Sequence, residues 1–139
     1  MKLERLFEVK DGKLYTMAGE PVSLEGKAFP VKWSDVEKEA EQYNEEFLAK
    51  LRDDLKQIEL TKRFVFIEPV FDKDGGFEQF TASMKHCARR IKDCVSVIGF
   101  AIPEAVFDER AFYIEELSAK HAQYCFFCRK DAGSDVVLY

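Results

Sequence analysis

The chain has 139 residues, of which 47% are hydrophobic, and its formal net charge is −5. This composition is sufficient for a buried core and excludes an intrinsically disordered protein. The acidic balance and the scattered basic residues predict that nucleic acid is not a partner.

No run of about 18 apolar residues occurs, so we expect no membrane span. The opening segment MKLERLFEVKDGK carries charges where a signal peptide needs an apolar stretch, which predicts a cytoplasmic protein. By size, we expect a single α/β domain over residues 1–139, with residues 1–20 as an appended hairpin. Thirteen Phe residues predict either a dense core or an apolar surface that awaits a partner.

The first quarter of the chain predicts a hairpin and then a long helix. Two strand-like runs flank Asp11-Gly12, which is the strongest short hairpin signal. A plausible strand follows in PVSLEGKAF. Ser34 begins a capping-box pattern with Glu37, and apolar residues then recur at steps of three and four as far as Ile58. This spacing predicts one amphipathic helix of roughly six or seven turns.

The rest of the chain alternates between strand and helix patterns. The run RFVFIEPVF predicts a strand that is covered on both faces. A helix over residues 77–92, a strand over residues 95–102, a helix over residues 108–122 and a strand over residues 124–128 follow.

This order predicts a mainly parallel sheet of about four strands with three helices and an N-terminal hairpin. The segment DVVLY follows the last of these strands too closely for a parallel crossover. We therefore expect it to pair antiparallel or to stay peripheral. A flavodoxin-like strand order, with helices on both faces, remains open.

Ligands of parallel α/β sheets gather at the carboxyl ends of the strands. The residues at those ends are Trp33, Glu68, Asp72, Asp74, Glu104, Asp108, Arg129, Lys130 and Asp131. The flat ring of Trp33 would suit stacking against a sugar, or it could cap the core beside the helix start.

The four cysteines do not predict a metal or redox site. Cys125 and Cys128 are three residues apart in a strand, so their side chains point to opposite faces. No second CxxC motif is present, and no Ser or Cys has a base nearby in sequence. We expect structural cysteines, no metal and no cofactor.

Two segments resemble family five glycoside hydrolases, the cellulase-like (β/α)8 barrels. The segment VKDGKLYTMAGEPVSLEGKAFPVKW is similar to the opening hairpin of that family and to the Trp that follows it. The segment LRDDLKQIELTKRFVFIEPVFDKDGGFEQFTASMKHCARRIKDCVSVIGFAIPEAV is similar to the third and fourth barrel strands with the helix between them.

The resemblance implies a partial, truncated TIM barrel in which Glu104 stands at the acid/base position. Pro103 and Ala105 replace the Asn and Pro that flank this Glu in the family, and the strand that carries the nucleophile has no counterpart here. Glu68 is the best substitute for the second carboxylate that glycoside hydrolysis needs.

Three functions follow as hypotheses. The first is a non-catalytic relic that binds a carbohydrate or another polar ligand through Trp33, Asp72 and Asp108, together with Glu68 and Glu104. The second is an assembly protein that acts through a homodimer interface, because strands cut from a barrel leave unpaired edges. The third is a hydrolase whose site is completed by dimerisation.

Overall fold

A computed structural model describes residues 3–139, which begin with an antiparallel hairpin. Strand β1 (Phe7–Lys10) pairs with β2 (Lys13–Thr16). Both turn residues have positive φ angles, 51° at Asp11 and 73° at Gly12, as the twist of a tight two-residue hairpin requires. The predicted hairpin is confirmed.

The remaining elements follow in chain order. They are β3 (Ala28–Lys32), α1 (Trp33–Val36), β4 (Glu37–Glu39), β5 (Gln42–Tyr43), α2 (Glu45–Leu60), β6 (Val65–Val70), α3 (Phe77–Arg90), β7 (Val97–Ala101), α4 (Arg110–Ser118), β8 (Cys125–Cys128) and β9 (Val137–Leu138). A 3-10 helix, Glu104–Glu109, precedes α4.

Five strands form a parallel sheet in the sequential order β3-β6-β7-β8-β9. The buried residues of α2, α3 and α4 belong to one core on a single face of this sheet. Sequential strands with all helices on one face form the arrangement of a partial barrel. The predicted α/β class is confirmed, and the flavodoxin-like alternative, which needs helices on both faces, is excluded.

The opposite face of the sheet is covered by the hairpin. Phe7 and Leu14 of the hairpin pack with Phe66, Phe127 and other strand residues in a second core. Alternate strand residues face the two cores, which explains why the strands are apolar throughout. Cys125 belongs to the hairpin side and Cys128 to the helix side, as predicted.

The predicted first long helix is wrong. The chain forms the short helix α1, then the β4–β5 hairpin, and only then α2. Glu41 has a φ of 64°, which no right-handed helix accepts, and the side chain of Asn44 accepts a hydrogen bond from the Phe47 backbone N–H to begin α2. Ser34 and Glu37 do not form the predicted capping box, because the Ser34 hydroxyl donates to Asp72 instead.

Three other boundaries also differ from the prediction. β3 begins only at Ala28, because the chain turns at Glu25 and Gly26, where Gly26 has a φ of 71°. The helix expected over residues 108–122 ends at Ser118 and begins as a 3-10 helix. Strand β9 pairs parallel to β8, not antiparallel. Both partners pair over only two residues, so a short connection is enough for the chain to run back along β8 and enter β9 in the same direction.

The outer edge of the sheet at β3 is ill suited to pairing with another strand. Pro30 lacks an N–H donor, and Lys32 is exposed beside it. Among residues 3–139, Phe112 is the one Phe that is substantially exposed, so the Phe-rich composition builds a dense core. No helix in this range combines the length and apolar character that crossing a bilayer requires.

Candidate functional site

A cavity of about 240 Å³ lies at the carboxyl ends of β6, β7 and β8. Its polar lining residues are Glu68, Glu104, Arg129, Lys130 and Tyr139. The apolar part of its lining includes the end of β6 and the last residues of β7. The structure therefore brings together the two carboxylates that the sequence placed on neighbouring strand ends.

Glu68 is the most constrained of these residues. It follows Phe66 by two positions and so faces the hairpin side of the sheet. Its Oε2 accepts hydrogen bonds from the Tyr139 hydroxyl at 2.5 Å and from Arg129 Nη2 at 2.7 Å. Burial raises the pKa of Tyr139, and the hydrogen bond to the Glu68 carboxylate raises it further. At neutral pH the phenol is therefore a hydrogen-bond donor to Glu68.

Arg129 also contacts the ring of Tyr139. Its guanidinium carbon is 4.5 Å from the centre of the Tyr139 ring, a distance typical of cation–π contact. The ring of Tyr139 packs edge-on against Phe66, with 5.0 Å between ring centres. Glu68, Arg129 and Tyr139 thus form one connected polar group on an aromatic base.

Glu104 lies at the rim of the cavity. Its side chain is 82% exposed, and its Oε1 is 4.0 Å from Lys130 Nζ. Lys130 Nζ in turn lies 4.6 Å from the centre of the Phe107 ring. Glu104 is consequently a solvated carboxylate with one distant cationic neighbour.

Trp33 does not reach this cavity, and its burial corrects the expectation of a ligand-stacking ring. Its side chain is completely buried and packs against Phe71 and Phe80. The indole Nε1 donates to Glu37 Oε1 at 2.9 Å and to Ser83 Oγ at 3.0 Å. Neither ring face is available to a sugar.

The two aspartates of the predicted ligand set also lie outside the lining residues of the cavity. Asp72 accepts hydrogen bonds from both the backbone N–H and the hydroxyl of Ser34, so it ties the β6–α3 loop to the start of α1. Asp108 is an exposed residue of the 3-10 helix that follows β7. Both aspartates therefore lie on the surface, and they do not form a site together.

No protein-family model, curated protein or solved structure matches this chain. The resemblance to family five glycoside hydrolases therefore rests on the motifs alone, and the roles that it implies for Glu104 and Glu68 stay predictions.

The glutamate that the sequence assigned to a capping box is a buried residue directly after α1. Glu37 is 1% exposed and accepts hydrogen bonds from Trp33 Nε1, from Gln79 Nε2 at 2.8 Å and from the Glu41 backbone N–H at 2.8 Å. Burial acts to raise its pKa. The hydrogen bonds and the nearby Lys73 ammonium outweigh that effect and lower the pKa. Every oxygen of this carboxylate is already engaged, so it is a structural anchor.

The four thiols are free and buried. Burial raises the pKa of Cys87 to about 12 and that of Cys94 to about 11, which makes reactive thiolates unfavourable at neutral pH. Within residues 3–139, no three His, Cys, Asp or Glu side chains converge as metal ligands.

Tyr139 is the cavity residue that sequence reasoning missed. An antiparallel or peripheral DVVLY segment would not bring it to the carboxyl ends of β6 and β8. The parallel pairing of Cys128 with Leu138 does so. The signal that could have found Tyr139 is a general rule: the residue that follows any parallel strand lies at the carboxyl ends of the neighbouring strands.

Proposed function

We propose that this protein binds a small hydroxylated ligand of the carbohydrate class in the strand-end cavity and does not turn it over. The observation that carries the proposal is the convergence of Glu68, Arg129 and Tyr139 in a concave site above an apolar base. A few convergent polar groups in an otherwise apolar cavity are typical of small-molecule sites.

The size of the cavity limits the ligand. Its volume of about 240 Å³ is below the roughly 300–1,000 Å³ of sites for drug-sized molecules, which favours a ligand as small as a monosaccharide. Both hydrogen bonds to Glu68 use Oε2, which leaves Oε1 as the acceptor for a ligand hydroxyl. Arg129 has five N–H donors, and the side chain is 67% exposed, so it can also donate to ligand oxygens.

The environments of the two carboxylates favour binding over hydrolysis. A glycoside hydrolase needs one protonated and one ionised carboxyl group on either side of the scissile bond, and the acid usually lies in an apolar, water-poor pocket. Glu104 is 82% exposed, which does not match that environment. Glu68 is committed as an acceptor to a tyrosine and an arginine.

Isothermal titration calorimetry with a panel of monosaccharides tests the proposal. We expect saturable binding by the wild type, lost in Glu68→Ala and retained in Glu25→Ala, which removes an exposed carboxylate elsewhere on the surface. Circular dichroism establishes that each variant is folded. A wild type that binds no sugar of the panel at millimolar concentration would overturn the proposal.

The two alternative functions stay predictions with their own measurements. The hydrolase hypothesis predicts release of phenol from aryl-glycosides that is abolished by Glu104→Gln. The homodimer hypothesis predicts a dimeric mass in light scattering at micromolar concentration, through a surface other than the β3 edge that Pro30 and Lys32 obstruct.

A further inference from the structure

The charged side chains that line the strand-end cavity are two carboxylates and two cations, and they form one close pair and one distant pair. Glu68 is neutralised at close range, since Arg129 lies 2.7 Å from its Oε2. Glu104 and Lys130 are 4.0 Å apart at the outer limit of an ion pair, and the Glu104 side chain is largely in solvent. Water screens such an exposed pair, so the Lys130 ammonium is poorly compensated.

Both cations are held in position at the cavity by aromatic rings. Lys130 Nζ lies 4.6 Å from the centre of the Phe107 ring, and the Arg129 guanidinium stacks over Tyr139. Arg129 uses Nη2 for Glu68, and its remaining N–H groups project from a planar fork that suits a carboxylate. The two residues are adjacent in sequence, directly after β8.

We infer that the ligand is an anionic sugar, a sugar acid whose carboxylate is bound by Arg129 and Lys130 while its hydroxyls reach Glu68. This inference rests on the proposed function of the cavity and specifies its ligand class. A carboxylate supplies the close negative charge that Lys130 lacks, whereas a neutral sugar can only accept hydrogen bonds from Arg129 and Lys130 and donate to Glu68.

The experiment compares glucuronate with glucose, two ligands that share a ring and differ in a carboxylate at the sixth carbon. We expect calorimetry at low salt to give about tenfold tighter binding of glucuronate, because charge-assisted hydrogen bonds are roughly twice as strong as neutral ones. The preference should fall as salt rises, since the contact is partly exposed.

Substitution of Lys130 tests whether this cation causes the preference for glucuronate. Lys130→Gln keeps a side-chain hydrogen-bond donor but removes the charge, so it should weaken glucuronate binding more than glucose binding and reduce the glucuronate preference several-fold. Lys120→Gln removes an exposed lysine elsewhere and should change neither affinity.

The possible outcomes separate the two proposals. Equal affinity for both sugars, or a preference that survives Lys130→Gln, would overturn the inference of an anionic ligand. The proposed carbohydrate-binding function would not be affected. Absence of binding by either sugar, and by the neutral panel, would overturn the carbohydrate-binding function and the inference with it.

Discussion

Replacement of Gly99 by Ala should destabilise the fold severely, because β7 approaches the backbone of β8 at this residue. Val65 pairs with Val97 and Ile67 pairs with Phe100, so β7 has one extra residue between these pairs. Such a bulge bends the strand locally. A Cβ added to Gly99 would lie 1.7 Å from the carbonyl oxygen of Cys125.

The size of the effect follows from that overlap. The contact is with backbone in the centre of the sheet, so no flexible side chain can move aside. An overpacked core residue typically costs 1–3 kcal/mol, and we expect about 3 kcal/mol or more here because the strands must separate. For a chain of this size, that corresponds to a melting temperature lower by about 10 °C.

Urea unfolding and thermal melts followed by circular dichroism measure this prediction. The matched control is Gly76→Ala: Gly76 has a φ of −85°, and an added Cβ there meets no atom within 4 Å. We expect the control to stay within about 1 kcal/mol of the wild type. A Gly99→Ala protein as stable as the control would refute the close approach of the two strands.

Three further predictions concern the α1–α2 region. Asn44→Ala removes the acceptor of the Phe47 N–H and should lower the free energy of unfolding by about 1 kcal/mol in urea, whereas an unchanged value would contradict the start of α2 at this residue. Glu37→Gln keeps the side-chain volume but removes a buried charge with several donors, and it should lower the free energy of unfolding by about 2–3 kcal/mol; a loss below 1 kcal/mol would contradict its role as an anchor. Glu45 has a pKa of about 2, lowered by its hydrogen bond from Arg90, against a usual value of 4.5, so the stability that it contributes is present above pH 4.5 and lost as the pH falls towards 2. Melting temperatures of the wild type and Glu45→Gln should therefore differ at about pH 6 and converge at about pH 2, and a constant difference would exclude this linkage.

The three inner strands of the sheet were predictable because they are marked by continuous apolar runs. The segments around Phe66, Ile98 and Phe126 have no alternation, and both faces of each strand are indeed buried. Helix α3 was equally clear, since its apolar positions recur without interruption. The strand-end rule then correctly placed Glu68 and Glu104 at one edge of the sheet.

The failure of the first long helix has a physical cause, which is that periodicity does not report backbone breaks. Val36, Tyr43 and Phe47 fit one helical stripe, yet the positive φ of Glu41 divides it. The two polar residues of the expected capping box instead form contacts distant in sequence, Ser34 with Asp72 and Glu37 with Gln79. These contacts replace the local cap. No local pattern distinguishes such contacts from a cap.

The attachment of the N-terminal hairpin has a consequence for the order of folding. The Gly12 N–H donates to the Ser134 carbonyl oxygen, and the Leu138 N–H donates to the Gly12 carbonyl oxygen. The contact of Cys125 with the Phe7 carbonyl likewise joins residues 118 positions apart. Closing loops of this length costs entropy, so we expect the hairpin to dock only after β8 and β9 have joined the sheet. We therefore expect the hairpin to form early and locally, and the apolar sheet face around Phe66 to stay exposed in a refolding chain until the hairpin docks.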